Sequence, residues 1–379
     1  MNRIFLISIV ALFLFQACAQ EKKQERKKIE IPKIEKQYSL NDFLKEDATL
    51  DQEVDKIFSA LDDTAIVAQL IMPAVGRLGQ TESTIKQHIK DRIIGGVLML
   101  NGTKSGDTKW IIDFEAMNDS IGNLPFLYSA DAEPSLVNRK IEGSIPVKKA
   151  NEMKTIDEVE ACANTISSEL KAIGINYNFA PVVDMSPNKT VGFRSFGAVP
   201  ANIIPWSNAF IQETQKNGII ATAKHFPGHG LVSGDTHKSL QMINGEMKEI
   251  QNYPTLIENG VLSIMVAHIA VTNNPKFDTK GLPSTLSETI VTKLLRDSLG
   301  FKGLIVTDAM NMGGVIAVPQ SASKAVNAGC DIVLMPVDAK KAHAEILKRY
   351  KSDADFKKKV DASAKRIIRM KLCVGLLKK

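Results

Sequence analysis

The sequence predicts an α/β fold, a single (β/α)8 TIM-type barrel with no second α/β domain, on three observations. Eight short apolar runs rich in β-branched residues recur between positions 69 and 336, and continuous runs of this kind are what strands buried on both faces look like. Longer stretches with helical periodicity and start and stop signals separate them. Ionisable residues fall toward the C-terminal ends of these runs, at Asp131, Asp184, Lys224 with His225, His268 and Asp308. In such a barrel those ends converge on one face, the usual place for chemistry. An open doubly wound sheet remains the alternative, since periodicity does not show closure.

At the N-terminus, Arg3 precedes an apolar run from Ile4 to Phe15, about half the length of a bilayer span. Residues 1–17 therefore read as a lipoprotein-type signal peptide rather than a spanning helix. Cys18 follows Ala17 directly, which resembles the bacterial lipobox whose cysteine becomes the lipidated N-terminus. Phe15 and Gln16 depart from the residues usual there, and simple secretion is the alternative. Residues 18–50 read as a flexible tether: "AQEKKQERKKIEIPKIEK" has no helical or strand period. The expected placement is the cell envelope, anchored to a membrane through Cys18 and facing periplasm or cell surface, or otherwise secreted or periplasmic.

Charge excludes one class of partner. Residues 21–36 hold seven basic and four acidic side chains, so +3 of the formal +6 sits in the tether. The remaining body is nearly neutral and carries no basic stripe interleaved with aromatics, so no nucleic-acid partner is expected. No obligate protein partner is expected either.

The barrel is expected over residues 51–379. Its runs are "QLIMP" (69–73), "GGVLMLN" (95–101), "PFLYSAD" (125–131), "INYNFAPVVD" (175–184), "GIIATAKHF" (218–226), "LSIMVAHIAVT" (262–272), "GLIVTDAM" (303–310) and "DIVLMP" (331–336). Among the helical stretches, "TIDEVEACANTISSELKAIG" opens on a Thr-Asp start signal and stops at Gly174, and "LSETIVTKLLRDSLG" has Ser287 as its cap and Gly300 as its stop. The ending "ASAKRIIRMKLCVGLLKK" reads as a closing helix with basic residues at its C-terminus. Cys162, Cys330 and Cys373 are far apart with no paired spacing, so they read as small buried hydrophobes rather than a disulfide framework or zinc knuckle.

The densest chemistry lies at "KHFPGHGLVSGDTH" (224–237), which packs three of the six histidines and an aspartate into fourteen positions. Histidine exchanges protons near neutral pH, so acid/base or metal chemistry is in question. Zinc on His225, His229 and His237 is the competing reading. Against it, Pro227, Gly228 and Gly230 break the helix that would set two histidines on one face, and no cysteine is near. No metal and no cofactor are expected.

Taken together, "KHFPGHG....DTH", "LPSTLSETIVTKLLRDSLGFKGLIVTDAM" and "INYNFAPVVDMSPNKTVGFRSFG" resemble the barrel of glycoside hydrolase family 3, in its β-N-acetylhexosaminidase branch, over about residues 55–377. The resemblance implies a retaining exo-β-N-acetylhexosaminidase that removes terminal N-acetylglucosamine from glycans, with peptidoglycan fragments the favoured substrate. It implies that Asp308 is the nucleophile, His237 the acid/base and Asp235 its dyad partner. It also implies that Asp131 and Arg139 bind sugar hydroxyls, with Arg194, Lys224 and His225 completing the glycosyl pocket. Many members carry a second α/β domain with an acid/base residue on it; with the histidine dyad, all the chemistry is expected on one barrel.

The sequence departs from the family pattern after Asp131. Pro134 and Ser135 replace two glycines, Leu136 replaces an arginine, and "SFGAVP" lacks the usual acidic residues. These departures motivate a rival reading, a non-catalytic glycan-binding envelope lipoprotein on a decayed barrel. Hydrolysis against phosphorolysis stays open in the sequence.

Overall fold

The structure, a computed structural model, describes residue 34 and residues 36–377. The signal peptide, Cys18 and most of the expected tether lie outside the described residues. At the centre run eight parallel strands: β1 (Ile71–Met72), β2 (Gly96–Met99), β3 (Leu127–Ala130), β4 (Tyr177–Asn178), β5 (Ile220–Phe226), β6 (Ser263–Val266), β7 (Leu304–Thr307) and β8 (Val333–Leu334). Each falls inside one of the apolar runs, and every residue in them is buried. Burial on both faces is why these segments show no polar alternation.

Strands adjacent in sequence are adjacent in space. Ala74–Val75 continues β1 past Pro73 and pairs with β2, and the sheet then runs in order to β7. Its two edges are joined. β8 pairs with β1, Ile71 opposite Val333 and Met72 opposite Leu334, and β7 meets the residue before β8 through a parallel bridge from Val306 to Ile332. The architecture is a TIM-like (β/α) barrel, and the open-sheet alternative is set aside.

The helix Ile156–Ile173 begins at Thr155, which accepts the N–H of Glu158, and ends at Gly174 with φ 99°, a left-handed turn that glycine adopts without steric cost. Thr289–Ser298 starts without a side-chain cap; Ser287 contributes its carbonyl, which accepts from Ile290 and Val291. Cys162, Cys330 and Cys373 are buried free thiols. No described helix is long and apolar enough to cross a membrane.

Three expectations are corrected. The tether does not extend to residue 50: Tyr38, Leu40, Phe43 and Leu50 are buried, the helix Ala48–Ser59 is capped by Asp47, and Arg369 of the closing helix Ala354–Cys373 donates to the carbonyl of Phe43 at 2.7 Å. A few apolar side chains suffice to pin this segment once a guanidinium satisfies its carbonyls. The fourth run forms only a two-residue strand, because Pro181 lacks a ladder N–H; Val182 still bridges to Lys224. The sixth run is two strands, since Ile269–Thr272 leaves the barrel to pair with Gln241–Asn244.

Candidate active site

A cavity of about 790 Å³ opens beyond the C-terminal ends of the strands. The eight residues to which the family resemblance gives a role all line it: Asp131, Arg139, Arg194, Lys224, His225, Asp235, His237 and Asp308; the strand-end residues Asp184 and His268 lie behind this lining. The eight come from the ends of β3, β5 and β7, from the short helix Val137–Lys140 and from two loops, so the barrel gathers positions up to 177 residues apart (131 to 308).

The floor is a lattice of buried charge. Lys224, near the end of β5 and 1 % exposed, places its Nζ 2.9 Å from Asp131 Oδ1 and 2.6 Å from Glu133 Oε1. Asp131 also meets Lys140 at 2.7 Å. Arg194 grips Glu133 with two bonds, Nε to Oε2 and a terminal nitrogen to Oε1, both 2.7 Å. Such bidentate geometry fixes the guanidinium plane. Burial alone would raise both carboxyls, but Lys140 and Lys224 around Asp131, and Arg194 and Lys224 around Glu133, outweigh it and hold both far below the usual carboxylate range.

Beside this lattice His225 is oriented by a second carboxylate. Asp184, fully buried, accepts Nδ1 of His225 at 2.6 Å, the His225 backbone N–H at 3.2 Å and the His229 N–H at 2.8 Å. The Lys224–His225 peptide is cis. Behind Asp184, Glu249 accepts the N–H groups of Met185, Gly230 and Leu231. Burial and the neighbouring Asp184 charge push Glu249 up to about 8. The two loops that border the cavity are thus braced from beneath.

Asp308 follows β7, its backbone N–H bonded to Val266 and one carboxylate oxygen accepting from Ala309 N–H at 2.8 Å. Burial opposes its ionisation, yet His225, His268 and that N–H outweigh it and lower its pKa. The result is an ionised carboxylate with an oxygen left to face the cavity, which suits a nucleophile. His268 is fully buried between Thr285 Oγ1 and Ala309 O, and burial lowers it toward the neutral form.

The dyad sits at the rim. His237 Nδ1 is 2.7 Å from Asp235 Oδ1, and Asp235 also accepts the His237 backbone N–H at 3.0 Å. The two side chains are 62 % and 29 % exposed. With Nδ1 engaged, Nε2 of His237 is the nitrogen available for proton exchange. Among the described residues no group of three or more His, Cys, Asp or Glu side chains is placed to hold a metal.

Sequence reasoning missed Lys140 and Glu249, which carried no signal, and gave no role to Glu133, two positions after Asp131. Asp184, singled out at the end of the fourth run, is the carboxylate that orients His225. Arg139 differs from expectation. It is an exposed residue at the cavity's edge, with no ion pair among the described residues, while Lys140 takes the place beside Asp131.

The family described as "Glycosyl hydrolase family 3 N terminal domain" matches residues 63–370. A β-hexosaminidase of Methylobacillus flagellatus is 32% identical over 295 residues, covering 72% of this chain and 81% of the relative. Among solved structures, a glycoside hydrolase family 3 β-N-acetylglucosaminidase from Paenibacillus superposes with TM-score 0.76 at 27% identity, covering 83% of this chain and 63% of that one. A β-N-acetylhexosaminidase from Beutenbergia cavernae superposes with TM-score 0.73 at 26% identity, covering 81% and 97%.

Proposed function

Because the chain belongs to glycosyl hydrolase family 3 and is a glycoside hydrolase, we propose that it is a retaining, exo-acting β-N-acetylhexosaminidase that releases terminal β-linked N-acetylglucosamine from glycans. The observation that carries this reading is the meeting in one cavity of an ionised Asp308 and the Asp235–His237 pair. A double displacement needs a carboxylate to attack the anomeric carbon and a second group to move protons.

In the first step Asp308 bonds to the anomeric carbon as the glycosidic C–O bond breaks, and His237 delivers its proton to the departing oxygen. In the second, His237 takes a proton from water, whose oxygen displaces Asp308 and regenerates the carboxylate. Asp235 keeps the imidazole oriented through Nδ1 and stabilises its cation. Asp131, Lys224, Arg194 and His225 bind the hydroxyls of the terminal sugar; Arg139, at the exposed edge, contributes least. All the chemistry resides on the one barrel.

Peptidoglycan fragments are the favoured substrate and the cell envelope the place of action, with Cys18 as a lipid anchor. The support is the sequence of the first 36 residues, the apolar leader, the lipobox-like cysteine and the charged tether.

The test is release of nitrophenol from p-nitrophenyl β-N-acetylglucosaminide, with the β-glucoside as control. The expected result is turnover of the acetamido sugar and a loss of about 10³-fold or more in kcat for Asp308→Ala, as removal of a covalent nucleophile gives. Binding of N-acetylglucosamine without any turnover of this activated substrate would replace the enzyme with a glycan-binding lipoprotein.

A further inference from the structure

Asp235 and His237 face solvent at the rim, yet Thr236 between them is 1 % exposed. Its hydroxyl lies 2.9 Å from Nε2 of His229, a ring 2 % exposed. His229 is anchored in turn, its backbone N–H donating to Asp184. Burial depresses the His229 pKa, with His225 adding to the effect, so the ring is neutral and its nitrogen pairs with a hydroxyl whichever of the two donates.

The same residue is held from the opposite side by backbone. Gly314 N–H donates to Thr236 O and Gly313 N–H to His237 O, both at 3.0 Å. A Cβ on Gly313 would stand 2.3 Å from Lys238 O, so only glycine permits this approach. At the start of the loop, Asn188 Nδ2 donates to Gly234 O at 2.9 Å. The turn carrying Gly313 begins at Asp308, so the segment bearing the nucleophile and the segment bearing the dyad are tied together at Thr236.

We propose that Thr236 is a positioning residue, a latch between His229 and the Gly313–Gly314 turn that holds the dyad loop closed with His237 over the cavity. The inference rests on His237 being the acid/base residue. A buried hydroxyl set between the two members of a dyad fixes both by fixing the backbone they share. Thr236 borders the cavity, but its hydroxyl is spent on His229 and it acts through the backbone it shares with Asp235 and His237.

The signature is dependence on the leaving group. Dinitrophenolate departs without a proton, whereas a sugar alkoxide needs one, so a loosened acid slows the second and spares the first. The ratio kcat/KM reports the steps up to the glycosyl-enzyme. Thr236→Val, of nearly the same shape, is expected to lower kcat/KM on an N-acetylglucosamine disaccharide by about 10- to 100-fold, part of what general acid catalysis supplies. On the dinitrophenyl glycoside the expected change is under about 3-fold, with inhibition by free N-acetylglucosamine unaltered. Thr236→Ser should recover most of the activity. Gly313→Ala presses on the carbonyls of His237 and Lys238, on the other side of the latch, and should give the same split even if Thr236→Val fails to fold. Equal losses on both substrates, weaker hold on N-acetylglucosamine, or an unaffected Thr236→Val enzyme overturns the latch. His237→Ala separates the two readings: if it shows the split and Thr236→Val does not, the latch alone fails, and if His237→Ala lacks the split, the acid/base assignment fails and the latch with it.

Discussion

On the cavity floor Glu133 and the Lys224 side chain are 0% and 2% exposed, and each has an opposite charge within 2.9 Å. On the flank of the barrel Asp107, in the helix Lys104–Ser120, is equally buried, but neither carboxyl oxygen has a hydrogen-bond partner. The consequences are opposite. Paired burial lowers Glu133 below the usual carboxylate range, while unpaired burial raises Asp107 from 3.8 to about 7. Depth alone does not decide the charge of a group; partners do. The floor therefore presents fixed ionic charge to the cavity, and the flank offers a carboxyl poised to lose its proton near neutrality.

Breaking the floor tests this most severely. Glu133→Gln keeps the shape and removes the charge that Arg194 grips and Lys224 shares. Arg194 is then left buried without its bidentate partner, and unfolding free energy is expected to fall by about 3–5 kcal/mol, the usual cost of leaving one half of a buried pair uncompensated. Denaturant titration at neutral pH reads this directly. A loss below about 1 kcal/mol would place the pair among ordinary surface bridges and undo the comparison.

Asp107 gives the next effect, with the sign set by linkage. Its folded pKa lies above its unfolded one, so between about pH 4 and pH 7 the native state holds a proton the unfolded chain has released, and stability falls as pH rises through that window. Asp107→Asn cannot ionise. The variant should match the native protein near pH 4 and exceed it above pH 7 by roughly 2–4 kcal/mol, three pKa units being an upper figure of about 4. Parallel stability curves for the two proteins across that range would mean that Asp107 finds a partner or water when charged.

The outcome also marks what sequence can carry. All eight strands were legible because two-sided burial writes itself locally, as unbroken β-branched runs, and Asp131, Lys224, His225 and Asp308 were legible because strand ends converge. The pairing of Glu133 with Arg194 joins residues 61 positions apart, and nothing in either neighbourhood encodes it. Lys140 rather than Arg139 at Asp131 depends on where one turn of a four-residue helix, Val137–Lys140, points each side chain. The packing of Tyr38, Leu40 and Phe43 was hidden for another reason: three apolar residues in a charged stretch have no period to read, and Arg369, which holds the carbonyls of Asp42, Phe43 and Lys45, lies at the far end of the chain.

The rim supplies the smallest stability effect and the clearest separation of stability from activity. The Asp235–His237 pair has the same 2.7 Å contact that Glu133 makes with Arg194, but its side chains are open to water. Water replaces the lost partner there, so Asp235→Asn should change unfolding free energy by less than about 1 kcal/mol. Activity should respond very differently. An amide neither holds the Nδ1–H tautomer nor stabilises an imidazolium, and kcat on a sugar leaving group is expected to fall by about 10²–10⁴-fold. Measured together, the two numbers separate a pair that holds the fold from one that serves the reaction. If Asp235→Asn instead destabilised the protein as much as Glu133→Gln, the rim would be part of the floor's lattice, and the dyad loop would be a structural element rather than one whose closure the chemistry uses.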